Sequence, residues 1–440
     1  MNNIKTRADA FMWENGMLAS QIDSKEACRR FAEEMDQGLL SEPKGSLKML
    51  CTYIGAEGQV NAEESVIAID AGGTNLRIAL VTFKENVPPR ISQFYTYRMP
   101  GTNGEMDRET FLRTLADYLL PVIDYSNRIG FCFSFPTEIL PDCDGRVICF
   151  NKEVNVKGMD GHCLGAELLE TLERVYNKKG KRILILNDTV ATLLAGKATV
   201  AGKEYDGYIG FILGTGTNTC FVEDNEKLRA RYPAVTGQGK TIVNIESGGY
   251  AGAPRGIFDR MLDAETANPG DQMFEKMISG AYQGELMRLI LQYAAQAGLF
   301  SRNAAEKFKA LKNLTGKDLN EFCDMPESKT GILAECLVDG DESDRDMLYC
   351  LVEDFYERTA KLVAINLVSI TERAGIGHNP EKPVCIAAEG TTFYKSNLFQ
   401  AKLESCLQEF IRSGTGPYYE FVKGENVTLV GSAMAALLNK

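Results

Sequence analysis

Two short stretches constrain the fold of this chain more than anything else in its 440 residues. VIAIDAGGTNLRIALVTF, beginning at Val66, and YIGFILGTGTNTCFVE, beginning at Tyr208, are each a pair of apolar runs joined by a glycine-rich turn that closes on Gly-Thr-Asn. β-Branched runs broken by such a turn read as β-hairpins. The two copies lie too far apart for a solenoid, whose period is roughly 20–50 residues, so the simpler reading is two related halves. Each turn carries glycine where a side chain would obstruct an approaching anion, then a hydroxyl and an amide that can donate to it. Two such turns facing one another across a cleft could hold a chain of phosphates on backbone N–H groups. Either turn alone is equally well an ordinary tight hairpin.

The rest of the chain alternates strands with helices. Residues 3–37 repeat apolar side chains at helical spacing with a break near Gly16, which predicts two amphipathic helices, and 91–98 adds a strand. Helix is predicted over 110–123, strand over 128–136 up to Pro136, helix over 165–176, and strand over 182–188 running into helix 189–201. That alternation is the mark of an α/β protein. Long helical segments are expected at 272–296 and 344–372 with a polar helical stretch between them, and strands at 383–390 and 426–431, each leading into a helical end.

Forty-eight basic against sixty acidic residues leave a net charge of −12, so the overall field repels nucleic acid and anionic lipid. No partner of either kind is expected, and any phosphate site must be built locally. The twelve cysteines contain no C-x-x-C pair, the closest two being Cys143 and Cys149, so reduced thiols are expected rather than a zinc site. With no apolar leader and no run of about 18 apolar residues, a cytoplasmic, non-membrane protein is expected.

Asp70 stands just ahead of the first turn. Mg2+ prefers hard oxygen ligands and keeps several waters, so one carboxylate acting through water, together with nucleotide phosphates, is enough to hold it. Asn187-Asp188 falls at the carboxyl end of a buried strand, the edge where α/β sheets place ligands. Taken alone, an aspartate at a helix start is explained by capping and needs no catalytic role. An alcohol attacking a phosphoryl group, however, calls for a carboxylate base, and only His162 and His378 compete for the role. Ser134, Asn151, Lys152, Asn187, Asn218, Glu246, Gln272 and Glu275 are polar interruptions of structured segments that could converge on sugar hydroxyls. Phe131, Phe133 and Phe135 read as core.

Seven ordered segments, VIAIDAGGTNLRIALV, IGFCFSFPTEIL, LILNDTVATLLAG, GFILGTGTNTCFVE, VNIESGGY, NPGDQMFEKMISGAYQGELMR and AAEGTTFYKS, resemble hexokinases of the hexokinase/glucokinase type over about residues 66–396. The resemblance implies a two-domain actin-like (ribonuclease H-like) sugar kinase fold of α/β class, with a five-stranded mixed sheet in each domain, flanked by helices around a deep cleft. Its small domain would be 65–188 plus 431–440, and its large domain 1–64 plus 189–430. It implies transfer of the γ-phosphate of Mg-ATP to the 6-hydroxyl of a hexose, glucose first, with Asp188 as general base and Lys152 stabilising that hydroxyl. Ser134, Asn151, Lys152, Asn187, Asp188, Asn218, Glu246, Gln272 and Glu275 would hold the sugar. Asp70, Gly72, Gly73, Thr74, Asn75, Arg77, Gly214, Thr215, Gly216 and Thr217 would follow the Mg-nucleotide phosphates, and Gly390, Thr391 and Gly431 the adenosine.

The chain departs from the family pattern in four places. Asn151-Lys152 replaces Thr-Lys, Glu246-Ser247-Gly248 replaces Glu-Trp-Gly, Glu389-Gly390-Thr391 replaces an acidic-Gly-Ser, and LVGSAMAALL replaces a Gly-Ser-Gly-x-Gly turn. Asn151 leaves fructose, mannose or an amino sugar open as acceptor. A non-catalytic sugar sensor or regulator on the same fold is the other alternative; its mark would be loss of Asp188 or of a phosphate turn, and both are retained.

Overall fold

Each Gly-Thr-Asn hairpin is the centre of a sheet. The computed structural model describes residues 2–58, 63–150, 154–200, 202–414 and 416–439. Strand Glu64–Ala71 pairs antiparallel with Asn75–Lys84, and Gly207–Leu213 pairs the same way with Thr217–Asp224. Around the first hairpin the sheet order is Arg182–Leu186, Arg128–Phe133, Glu64–Ala71, Asn75–Lys84, Val87–Arg98, parallel up to the hairpin and antiparallel beyond. Around the second it is Tyr419–Val422, Val384–Glu389, Gly207–Leu213, Thr217–Asp224, Lys240–Asn244, with the same change of direction at the hairpin. The two halves read from the turns are thus repeated in topology. The second sheet has six strands rather than the five expected, because Leu50–Gly55 adds itself antiparallel to Lys240–Asn244. That strand is too short to show a period in sequence.

Strand alternation sorts the core into layers. Ile67, Ile69 and Ala71 face the helices Arg108–Leu119 and Leu164–Tyr176 on the outer side of the first sheet, whereas Val66 and Ala68 face inward. Ile209, Phe211 and Leu213 face the outer core of the second sheet, built with the 33-residue helix Glu342–Ala374 and with Ser24–Gly38.

Between the sheets lie two helices, Asp188–Thr199 and Val427–Leu438, each following the last strand of its half. Each packs on the other half's sheet, the first against Gly207–Leu213 and Val384–Glu389, the second against Glu64–Ala71 and Arg128–Phe133. Glycines permit this exchange. A Cβ on Gly431 would sit 1.8 Å from the Ala191 carbonyl oxygen, and one on Gly130 1.9 Å from that of Ser432. Backbone approach this close removes water and gives the interface crystal-like packing density.

Residues 426–431, expected as a strand, instead open the helix Val427–Leu438, so a domain boundary at 430 would divide a continuous helix. A short apolar run cannot be told from a buried helix by periodicity alone. The segment 272–296 is two helices, Met273–Ile278 and Gly280–Gln296, separated by Ser279 in extended conformation. The break leaves the amides of Gly280 and Ala281 to bond the carbonyls of Gly214 and Thr215 at 2.8 and 3.1 Å, which seats the second turn. Helix Ile257–Glu265 and strands Lys240–Asn244 and Tyr419–Val422 were not anticipated. Among the described residues no helix is long and apolar enough to cross a membrane.

Candidate active site

The first turn is closed by the Gly72 amide bonding the Asn75 carbonyl at 3.1 Å, and Thr74 and Asn75 are exposed at its tip. A Cβ on Gly72 would meet nothing nearer than 3.7 Å, so this glycine keeps the turn's surface open rather than making room for packing. Behind the turn, Asp70 is 5% exposed and its Oδ2 accepts the Arg77 guanidinium, the Nε bond measuring 2.9 Å. Arg77 also donates to the Thr428 hydroxyl at 3.2 Å, which ties the turn to the start of helix Val427–Leu438.

The second turn divides its residues differently. Gly214 is interior: its amide bonds the Gly216 carbonyl at 2.9 Å and its carbonyl accepts Gly280 and the Thr392 hydroxyl. Thr217 is interior too, its amide donating to Glu275 at 2.9 Å and its hydroxyl to the Ile212 carbonyl at 2.9 Å. Neither Gly214 nor Thr217 keeps these donors for a phosphate, contrary to expectation; the hairpin and its supports consume them. Thr215 is exposed and Gly216 partly so.

Asn187, not Asp188, caps the helix Asp188–Thr199, its side chain accepting the Thr189 amide at 2.8 Å. The capping explanation for Asp188 therefore falls. Asp188 occupies the first turn of that helix, and its Oδ1 accepts the Thr189 hydroxyl at 3.3 Å. Its surroundings are marked by two buried thiols. Burial pushes Cys132 well up, and the charges of Asp70 and Asp188 add to the push. Burial raises Cys220 as well, again with Asp188 contributing. Cys132 pairs with Asp70 in the first sheet, while Cys220 lies in the second hairpin and bonds the Thr189 carbonyl at 3.2 Å. Asp188 thus sits between the two hairpins.

Ser134, Asn187, Glu246 and Gln272 line one cavity of about 660 Å³, walled on its apolar side by Phe135, Pro136, Tyr53 and Tyr232. Asp188 is the next residue after Asn187 but is not part of that lining. Asn218 reaches the cavity through Glu246, donating to its Oε1 at 3.0 Å and to Asn244 Oδ1 at 2.9 Å. Asn244 completes the triangle by donating to Glu246 at 2.8 Å. In sequence the pair Asn244/Glu246 carries little weight by itself, its only signal being the two-residue spacing. Glu246 and Gln272 both hold left-handed backbone, φ 58° and 48°, a conformation that non-glycine residues keep only where neighbours over-determine it. Burial raises Glu275 above the usual carboxylate range, helped by Glu246 and Asp271 and opposed by the Thr217 amide and Lys276. Asn151 and Lys152 lie outside the described residues. Phe131, Phe133 and Phe135 are buried, as expected, in edge-on and tilted contact with one another.

A second cavity, about 730 Å³, opens from Thr215 past Gly280, Lys317, Asn320, Thr391 and Thr392. Gly390, just ahead of Thr391, holds a conformation that favours glycine, φ 118°, with the Leu213 carbonyl oxygen 2.2 Å from where a Cβ would lie. Gly280, Lys317, Asn320 and Thr392 were missed as site residues in sequence, and of these only Gly280 had a local signal, the Ser-Gly helix start at 279–280. Gly431 is not here. Expected beside the adenosine, it is enclosed in the contact between the two central helices.

The donors fit a cation held mostly by its ligand. Asp70 offers one carboxylate oxygen not bonded to Arg77, suited to a single contact through water. Among the described residues no group of three or more carboxylate, imidazole or thiol side chains could hold an ion unaided.

Comparison with known proteins agrees with this architecture. Two family models, both described as hexokinase, match residues 13–198 and 208–438. A hexokinase of Schistosoma mansoni is 32% identical over 69% of this chain and 68% of its own length. Human hexokinase HKDC1 is 29% identical over 97% of the chain, which spans about half of that protein, 47%. Two solved structures cover 99% of the chain: a Schistosoma mansoni hexokinase complexed with glucose (TM-score 0.72, 23% identity, 99% of its own chain) and a second hexokinase (0.81, 21%, 100%). The fold is the actin-like one of sugar kinases, and with family models spanning both halves the chain belongs to the hexokinase family.

Proposed function

We propose that this chain is an ATP-dependent hexose 6-phosphotransferase, with glucose as the first acceptor to test. The observation that carries the reading is the place of Asp188, at a helix start between the two hairpins and next to Asn187 of the polar cavity. A hexose in the 660 Å³ cavity would be held by Ser134, Asn187, Glu246 and Gln272, with Asn218 and Glu275 behind them. The nucleotide would lie with its adenosine in the second cavity and its phosphates between Thr215 and the exposed tip of the first turn. Arg77 would face those phosphates, and Asp70 would contact Mg2+ through water. Mg2+, when bound, supplies charge neutralisation on the phosphates.

Asp188 would take the proton from the 6-hydroxyl as it attacks the γ-phosphorus, while the fixed donors hold acceptor and phosphate in line. Closure of the two halves over the sugar, as the family resemblance implies, would exclude water as the competing acceptor. The nearness of Asn187, rather than Asp188, to the cavity accords with a cleft that closes on its substrate, since catalytic contacts are often long before closure.

The test is ADP release by the purified chain with Mg-ATP, with and without glucose, beside Asp188→Ala. A glucose-dependent rate that falls about 10²- to 10⁴-fold in the variant, with glucose binding retained, is the expected result. Near-normal turnover in Asp188→Ala would remove Asp188 as base. Silence across a panel of glucose, fructose, mannose and glucosamine, with sugar binding intact, would point to the sensor instead.

A further inference from the structure

We propose that the buried ion pair between Lys276 and Asp263 is a positioning device for the sugar site, one that fixes the loop 266–272 so that Gln272 and Glu275 meet the hexose; this rests on the hexose-kinase reading above. The Lys276 side chain is 2% exposed and that of Asp263 15%, with Nζ and Oδ1 2.7 Å apart. A charge so enclosed persists only when paired and hydrogen-bonded. Lys276 has one further acceptor, the Asn268 carbonyl at 2.8 Å. Asp263, in the last turn of helix Ile257–Glu265, takes the Gly270 amide on both oxygens at 3.0 and 3.1 Å, and its own carbonyl accepts the Thr266 hydroxyl at 2.7 Å. The side-chain pair therefore holds the loop at 268 and 270, and the Asp263 backbone carbonyl holds it at 266.

Beyond these staples the chain enters the sugar-facing surface. Gln272, two residues after Gly270, is the left-handed residue that starts helix Met273–Ile278, and its Oε1 lies 2.7 Å from where a Cβ on Gly248 would be, against the turn after Glu246. Glu275 and Lys276 are consecutive on that helix and so point about 100° apart. The carboxylate reaches the Thr217 amide of the second turn, while the ammonium goes into the core. A single short helix thus carries a ligand group on one side and its anchor on the other.

Stability alone does not call for such a pair, since apolar side chains of similar size commonly replace a buried ion pair at no loss. Apolar replacements cannot accept the Gly270 amide or donate to the Asn268 carbonyl. The double variant Lys276→Met/Asp263→Leu separates the two roles. It is measured with Asp263→Asn and wild type for melting temperature, glucose affinity by calorimetry, and KM and kcat for glucose and ATP. The expected result is a double variant that melts no lower than wild type yet binds glucose about tenfold or more weakly, with kcat and the KM for ATP little changed. Asp263→Asn keeps a neutral acceptor for Gly270 and falls between. If the double variant melts low, Asp263→Asn decides by the same comparison. Glucose affinity at the wild-type level in a variant that melts normally overturns the proposal, as does an equal rise in the KM for ATP. A wild-type chain that neither binds nor phosphorylates any hexose would instead overturn the functional reading and this proposal with it.

Discussion

Gly431→Ala decides between two uses of one glycine. The added Cβ would sit 1.8 Å from the Ala191 carbonyl oxygen, where real contacts stay beyond 3.0 Å, so the two central helices must part by more than about 1 Å. Overpacking of this kind costs about 1–3 kcal/mol, and more where backbone rather than a side-chain tip must move. Alanine's better helix propensity returns about 1 kcal/mol. A net loss of about 2 kcal/mol lowers Tm by about 4–8 °C if the cooperative unit is of ordinary domain size. Calorimetry gives the Tm, and the KM for ATP is measured at a temperature where the variant is folded. Gly72→Ala supplies the contrasting case, because its Cβ has 3.7 Å of clearance but lies on the open turn: Tm should hold while the KM for ATP rises. If Gly431→Ala left Tm unchanged and raised the KM for ATP, the packing argument would be refuted and the glycine would belong to the nucleotide site.

Buried charge supplies two further expected outcomes. Glu275 has its pKa raised by burial, so it gains its proton above the ordinary value of 4.5; the KM for glucose should climb as pH falls through that raised value, and Glu275→Gln should flatten that limb of the profile. The same shift means the folded chain binds a proton the unfolded one has lost, so this group's contribution to stability declines as pH rises from 4.5 through the raised value. Arg358 and Asp259 are each 1% exposed and 2.5 Å apart; Arg358→Met strands a buried carboxylate and should cost about 3–5 kcal/mol in a urea titration. A loss below about 1 kcal/mol would mean that water or another donor reaches Asp259.

Much of the candidate site was legible because its residues sit at strand ends and turns, where local patterns are strongest. Asp70, Gly72 and Thr74 could be read from the hairpin, and Asn187-Asp188 from a buried strand running into a helix. Asn244 was not, because its amide acquires meaning only beside Asn218 and Glu246, brought next to it by the pairing of Thr217–Asp224 with Lys240–Asn244. Lys317 and Asn320 were hidden for the same reason: they stand about a hundred residues from the turn whose cavity they share. Gly214 and Thr217 show the reverse error, since the motif marks the turn but not which of its donors the hairpin keeps for itself.

The sequence by itself determined the strand-turn-strand units, the alternation that makes an α/β chain, the duplication and the family, since all of these rest on neighbours within one element or on the order of motifs. Only the tertiary structure decided how the halves exchange their last helices, which donors stay available, and which glycines are enclosed by packing. Gly72 and Gly431 illustrate the difference. A Cβ on Gly72 would have open space around it, whereas one on Gly431 would strike the Ala191 carbonyl oxygen, and nothing in the chain around them distinguishes an open turn from a close approach of backbone. That distinction belongs to packing between segments far apart in sequence.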